Sequence, residues 1–197
     1  MKRIEALRTV VELTPDLPVV ATCAATSREL AAVADRPNHL YLLDSMGLTS
    51  SVGTGLALAV EGSAVDRVIV LDGDGSLLMN LNALATASFL ELPRLVIVCL
   101  DNGSYASTAG IESYASRLDL GAIAEGCGLQ VLRADSDEGL RSALATVTTA
   151  DGPHFVHVRI APGNEPGTPL LLMDPAVLAD RFRTWLVAAM RAGATTA

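Results

Sequence analysis

The chain reads as an α/β protein, a doubly wound sheet of about six mainly parallel strands with helices on both faces. Three observations predict it. Short apolar, β-rich runs alternate with helical patterns along all 197 residues. Half of the residues are hydrophobic, yet no uninterrupted apolar segment is long enough to span a bilayer. The stretch 68–105 is a complete βαβ unit: an apolar run over 68–71, a helical pattern over 77–90 and a second apolar run over 95–100.

In chain order, Ile4, Leu7, Val10 and Val11 fall at helical spacing, predicting a helix over 4–13 that Pro15 and Pro18 terminate. Val19-Val20-Ala21 is a short buried strand. Thr26 or Ser27 then caps a helix over 28–34, with Glu29 in its first turn. Residues 40–43 form the next strand, and the small-residue stretch through Ala59 is a helix able to pack closely. Residues 104–117 follow neither period and read as a polar loop that orders around a ligand, with Tyr105 and Glu112 as candidates to face it. A helix over 118–127, a strand over 129–132 and a helix from the Asp135-Ser136-Asp137-Glu138 cap to about Val147 follow. Gly152-Pro153 is a turn and 154–160 the last strand. His154 and His157, three apart, point to opposite faces there and make a poor metal pair. A Pro/Gly connection over 161–169 leads to a helix over 175–189, whose stripe of Val177, Leu178, Phe182, Trp185 and Leu186 needs a surface to cover. No repeat or linker divides the chain, so 1–197 reads as a single domain.

Charge and composition exclude some functions. The net charge of −8 argues against nucleic acid as the main ligand. Cys23, Cys99 and Cys127 match neither zinc nor iron–sulfur spacing and read as buried, reduced thiols. Met1-Lys2-Arg3-Ile4-Glu5 does not open a signal peptide, which leads to a cytoplasmic expectation with no membrane association. With a mean hydropathy of +0.40, the chain is expected to bury surface against a partner.

The chemistry concentrates where the two strands of the βαβ unit end. Parallel strands place their carboxyl ends on one sheet edge, so Asp74 and Asn102, 28 residues apart (102 − 74), converge there. A carboxylate and an amide oxygen suit a small hard cation such as Mg²⁺, which takes its remaining ligands from substrate phosphates. Gly73, Gly75 and Gly103 allow close backbone approach, and Ser76 lies where a helix would begin, with N–H groups free for phosphate. Asp, Asn and Gly are also ordinary turn formers. The coupling of Gly-Asp-Gly to Asn-Gly across one crossover is the more specific signal for a metal-bridged diphosphate.

This pattern resembles the diphosphate-binding motif of thiamine diphosphate (TPP) enzymes, Gly-Asp-Gly followed roughly 25–30 residues on by an Asn pair, a distance one βαβ crossover accommodates. Here Asp101 replaces the first Asn. The resemblance implies that Asp74 and Asn102 bind Mg²⁺ through their side chains and Ser104 through its main-chain carbonyl. Thr26 and Ser27 match the end of the family's first phosphate-side loop, while Cys23 and Ala24 replace its Thr and Gly. Met46, which alone would read as core, aligns with the bulky residue that props the cofactor in its bent form and is the catalytic candidate. The Asp44 carbonyl would accept from the pyrimidine amino group, beside Ser45. Thr26-Ser27-Arg28-Glu29, Ser45-Met46-Gly47-Leu48, Leu77-Leu78-Met79 after Gly-Asp-Gly-Ser, and Asp101-Asn102-Gly103 with Ser107-Thr108 look like the diphosphate-binding (PP) domain of sulfopyruvate decarboxylase β subunits and the C-terminal half of phosphonopyruvate decarboxylase. Ala109-Gly110-Ile111 and Thr168-Pro169-Leu170 depart from that group.

The implied activity is non-oxidative decarboxylation of a small 2-oxo acid to an aldehyde. In this superfamily the glutamate that activates the cofactor belongs to a separate pyrimidine-binding (PYR) domain, and this chain is too short to hold both. A PYR-domain partner subunit in a hetero-oligomer is therefore expected. A carboligase of acetolactate-synthase type and a non-catalytic scaffold are the alternatives. A nicotinamide-binding domain fits less well, because Gly53-Thr54-Gly55 lies inside a helical segment.

Overall fold

The structure is a computed structural model and describes residues 1–192. In chain order its strands are β1 (Val19–Ala21), β2 (His39–Tyr41), β3 (Val68–Gly73), β4 (Leu95–Asp101), β5 (Ser104–Tyr105), β6 (Ile111–Glu112), β7 (Gln130–Ala134) and β8 (His154–Arg159). Six of them form one sheet in the order β2-β1-β3-β4-β8-β7, with every pairing parallel. β5 and β6 make a small antiparallel hairpin apart from it.

The helices are α1 (Arg3–Leu13), α2 (Ala25–Val33), α3 (Thr49–Ala59), α4 (Asp74–Leu78), α5 (Asn82–Phe89), α6 (Leu120–Gly126), α7 (Asp137–Val147) and α8 (Pro175–Arg191). A sheet covered on both faces requires strands apolar on both faces, and β3 and β4 are buried almost throughout. Successive side chains alternate between two cores. Ile69, Leu71, Val96 and Val98 pack with Leu7 and Val10 of α1, Leu30 of α2 and Leu140 and Leu144 of α7. Val68, Val70, Leu95 and Ile97 pack with Ala57 of α3, Leu84 of α5 and Leu120 and Ala124 of α6. α3 sits close because it is small there: a Cβ on Gly53 would lie 2.1 Å from Val70 Cγ2. α8 lies beside the edge strand β2, sending Leu178 to one core and Leu186 and Met190 to the other; of the predicted apolar stripe Leu178 and Phe182 are buried within the chain and Val177 stays exposed.

Several expected elements shift. β3 runs on to Gly73, and the helix begins at Asp74 instead of residue 77. The single helix expected over 77–90 is two, broken at 79–81, where i→i+3 bonds from Met79 and Asn80 close the first and the Asn80 side chain turns to Ser51 Oγ at 3.0 Å. α2 starts at Ala25, and neither Thr26 nor Ser27 caps it. Ala24 stands at the cap with φ 62°, a backbone region that favours glycine. The strand expected over 40–43 is His39–Tyr41, and that over 129–132 is Gln130–Ala134. α6 is Leu120–Gly126, capped by Asp119, whose side chain accepts from Ala122 N at 3.0 Å. The polar stretch 104–117 is structured as the β5–β6 hairpin and a 3₁₀ turn over Tyr114–Ser116. The last strand stops at Arg159, and α8 extends to Arg191. Of the three thiols only Cys99 is buried. Cys23 and Cys127 are half-buried, and no disulfide forms among the described residues. No helix among those residues is long and apolar enough to cross a membrane.

Candidate functional site

The carboxyl ends of β1, β3 and β4 open into one narrow cavity of about 60 Å³. Thr26, Met46, Gly73, Asp74, Gly75, Ser76, Asn102, Ser104 and Tyr105 all line it, together with Arg3, Thr22 and Cys23. A larger cavity of about 580 Å³ lies beyond the ends of β7 and β8, lined by Arg117, Asp119, Arg133, His157 and Arg159. It holds none of the residues expected to contact a cofactor.

Asp74 is the anionic centre of the smaller cavity. It is 3 % exposed and opens α4 immediately after β3. Its Oδ1 accepts from Asn102 N at 3.4 Å, a bond that ties the end of β3 to the end of β4. Its Oδ2 accepts from the hydroxyl of buried Ser113. Burial pushes the Asp74 carboxyl above its ordinary range, with the nearby Asp101 charge adding to the effect. The bonds from Ser113, Asn102 and Gly75 act against it. No arginine, lysine or histidine pairs with Asp74 among the described residues.

Asn102 stands one residue beyond β4. Its Oδ1 accepts from Ser104 N at 2.9 Å and Ser104 Oγ at 3.2 Å, forming an Asx turn around Gly103, whose φ is +67°. Asp101 fixes that turn from beneath. Its Oδ1 accepts from Gly103 N at 3.0 Å, while Oδ2 lies 2.7 Å from His157 Nε2 and 2.8 Å from Arg159 Nη1. Burial raises the Asp101 carboxyl, but the His157 and Gly103 bonds and the Arg159 charge outweigh it and hold the group below its ordinary range.

Ser76 gathers the other loops. Its Oγ accepts the Gly47 N–H at 3.1 Å and lies 3.1 Å from Thr22 Oγ1. One step back, Asp72 anchors α3 by accepting from Ser50 Oγ at 2.7 Å, and burial pushes its carboxyl up. Together these bonds set the Met46 loop and the loop after β1 against the start of α4. The approach is tight at Gly75, where a Cβ would lie 2.6 Å from the Tyr105 ring and 3.5 Å from Met46 Cε.

Three expected contact residues lie outside the cavity lining. Ser27 is buried with its hydroxyl donating to Thr22 O at 2.6 Å, so it shapes the first loop from behind. Asp44 is exposed and faces a separate cleft with Arg28 and Leu170–172. Ser45 uses its carbonyl to accept from Leu48 N at 3.1 Å. Glu112 is exposed. Sequence reasoning missed Ser113, Arg3 and the His157–Asp101–Arg159 cluster. The cluster had a signal: β4 and β8 in parallel register set Arg159 opposite Asp101. Ser113 had none, because it lies in an aperiodic stretch 39 residues from Asp74.

Fold and site together define a thiamine diphosphate-binding domain. Residues 22–158 match the family model of the thiamine pyrophosphate enzyme C-terminal TPP binding domain, and the chain belongs to that family. Among curated relatives it is 43% identical to the sulfopyruvate decarboxylase subunit beta of Methanothermobacter thermautotrophicus, over 92% of this chain and 94% of that subunit. It is 41% identical to the phosphonopyruvate decarboxylase of Streptomyces viridochromogenes over 93% of this chain, which spans only 46% of that longer protein. Among solved structures, the benzoylformate decarboxylase of Polynucleobacter necessarius matches with a TM-score of 0.70 at 20% identity, covering 83% of this chain and 33% of that one; this likeness concerns the fold alone.

Proposed function

We propose that this chain, as one domain over 1–197, is the TPP- and Mg²⁺-binding subunit of a two-subunit 2-oxo acid decarboxylase acting on small substrates of the sulfopyruvate or phosphonopyruvate kind. The observation that carries the reading is the pairing of Asp74 with Asn102 across the ends of two neighbouring parallel strands, above the first turn of α4. The match along nearly the whole of a sulfopyruvate decarboxylase β subunit supports it.

The residues present fit the cofactor's diphosphate and its metal. Asp74 is a buried carboxylate lacking a protein cation, which a divalent ion would stabilise in its charged form. Among the described residues no cluster of three His, Cys, Asp or Glu side chains could hold a metal by itself. A site completed by an amide, a main-chain carbonyl and phosphate oxygens is what Mg²⁺ accepts. Asp74 and Asn102 would supply side-chain ligands and Ser104 its carbonyl. The N–H groups of Gly75 and Ser76, in the first turn of α4, would face the diphosphate. Met46 and Tyr105 also line the cavity, where Met46 would hold the cofactor's shape and Tyr105 would exclude water.

When bound, the cofactor supplies the electron sink for loss of CO₂, while the protein orients and shields the reacting centre. Leu48 and Met79, flanking the Met46 loop, are 49% and 60% exposed. These apolar side chains support a partner subunit on this flank, one carrying the PYR domain and its activating glutamate.

Calorimetric titration of TPP with Mg²⁺ into the chain alone and into its co-purified complex, with CO₂ release from sulfopyruvate and phosphonopyruvate, tests this reading. Binding in the complex accompanied by CO₂ release is expected. A complex that binds no TPP would refute it.

A further inference from the structure

Arg3 opens α1, far in sequence from the residues above, yet its side chain lines the same cavity as Asp74, Asn102 and Thr26. It is 6 % exposed. Its Nη1 donates to Glu29 Oε1 at 2.9 Å and to Asn164 Oδ1 at 3.0 Å. Its Nε and Nη2 donate to no acceptor among the described residues, and neither is an enclosed atom, so both are open to a ligand. Arg3 is also the only cationic side chain in the cavity lining.

The Arg3 side chain is held in place. Glu29 Oε1 takes a second bond from Glu165 N at 3.0 Å, and Asn164 Nδ2 donates to Ala106 O at 3.4 Å, next to the β5 strand that carries Ser104 and Tyr105. Glu29 and Asn164 thus hold Nη1 and leave Nε and Nη2 uncommitted in a side chain that lines this cavity and a neighbouring one formed with Ile4, Ala161 and Glu165. A fixed, planar, two-donor edge is the geometry that phosphate oxygens accept in pairs. Electrostatics point the same way. With Asp74 offsetting part of a divalent cation's charge, a diphosphate in this cavity keeps net negative charge that only Arg3 is placed to balance.

We infer that Arg3 is a cofactor-binding residue of this chain, donating from Nε and Nη2 to the phosphoryl oxygens of the diphosphate on the side away from Asp74. The inference rests on the TPP reading and adds to it a cation from outside the βαβ motif.

The test compares Arg3→Gln, Arg3→Lys and Glu29→Gln in the co-purified complex, reading the Kd for TPP at saturating Mg²⁺ by calorimetry and folding by thermal melting. Arg3→Gln should weaken TPP binding by about tenfold or more, with Arg3→Lys between it and wild type. Glu29→Gln keeps the guanidinium but loosens the pair that positions it, so it should lose melting temperature as Arg3→Gln does while its Kd rises severalfold less. If all three variants lose affinity in step with their melting temperatures, Arg3 is a structural partner of Glu29 and the assignment fails. It fails also if Arg3→Gln binds TPP as wild type does. Should Arg3→Gln not fold, Arg3→Lys, which preserves the pair with Glu29, decides: wild-type affinity in that variant overturns the two-donor contact. A wild-type complex that binds no TPP overturns the cofactor reading itself, a result distinct from the others.

Discussion

Ser76 Oγ accepts the main-chain N–H of Gly47 at 3.1 Å, so the residue following Met46 is fastened to the first helical turn after Asp74. The same oxygen meets Thr22 Oγ1 at 3.1 Å, and both bonds are buried. Ser76→Ala removes the acceptor and leaves the Gly47 N–H without a partner, which costs about 1–3 kcal/mol. We expect a lower denaturation midpoint and weaker TPP binding together. A variant that melts like wild type while Met46 still functions would show the fastening to be dispensable.

Asp74→Ala should abolish Mg²⁺-dependent TPP binding and leave the fold intact, because the carboxylate holds no ion pair among the described residues and ties down only local N–H and O–H groups of Gly75, Asn102 and Ser113. Ser113→Ala, which frees one carboxylate oxygen, should weaken binding without abolishing it. Titration calorimetry and circular dichroism on both variants check this ordering; near-wild-type affinity in Asp74→Ala would remove the metal assignment.

Ala24 holds φ 62° and ψ −128° at the start of α2, where a Cβ is disfavoured. Ala24→Gly should therefore stabilise the chain by about 1 kcal/mol, relief of strain exceeding the added freedom of the unfolded chain. Ala24→Val should destabilise it. Urea titration reads both, and a destabilised glycine variant would contradict the strained geometry.

Gly75 and Tyr105 should behave as one unit. Gly75→Ala places a Cβ 2.6 Å from the Tyr105 ring and must displace it. The substitution should impair cofactor binding, and adding Tyr105→Ala should recover part of the stability lost. A coupling of about 0.5 kcal/mol or more in a double-mutant cycle is the expected signature; strict additivity would mean the ring moves aside freely.

Stability should fall on mild acidification. Burial, aided by the Arg36 charge, lowers the His39 pKa to about 4 from 6.5, and the ring is 0% exposed. Between pH 6.5 and 4 the unfolded chain binds a proton that the folded one does not. Stability is therefore full above about pH 6.5 and is lost progressively toward pH 4, by up to about 3 kcal/mol. His154, lowered by burial and by Arg67, adds to the same slope. Denaturation midpoints at pH 7.5 and 5 measure it, and His39→Gln should flatten the difference.

Much of this molecule was legible in its sequence. Short β-branched apolar runs bounded by Gly, Asp and Asn suit strands buried on both faces, so β3, β4 and the turn after each were readable without tertiary information. The break at 79–81 was not, since Leu77 to Leu90 is compatible with one helix and only the neighbouring Ser51 draws Asn80 away. The type of Ser27 suggested a helix cap, but burial beneath the loop directs its hydroxyl to Thr22 O. Arg3 and Ser113 reach Asp74's surroundings through contacts that no local pattern encodes, one across the sheet edge and one from a hairpin.

The parallel order β2-β1-β3-β4-β8-β7 also governs when the site can exist during folding. No neighbouring pair in that sheet is joined by a tight turn, so each pairing must await closure of a crossover. The cavity needs Arg3, Thr26, Met46, Asp74 and Asn102 at once, residues spread over half the chain. A nascent or partly unfolded chain would contain the diphosphate motif and still lack the receptor for it. Cofactor capture should thus report completed folding, and TPP should slow unfolding more than it speeds folding.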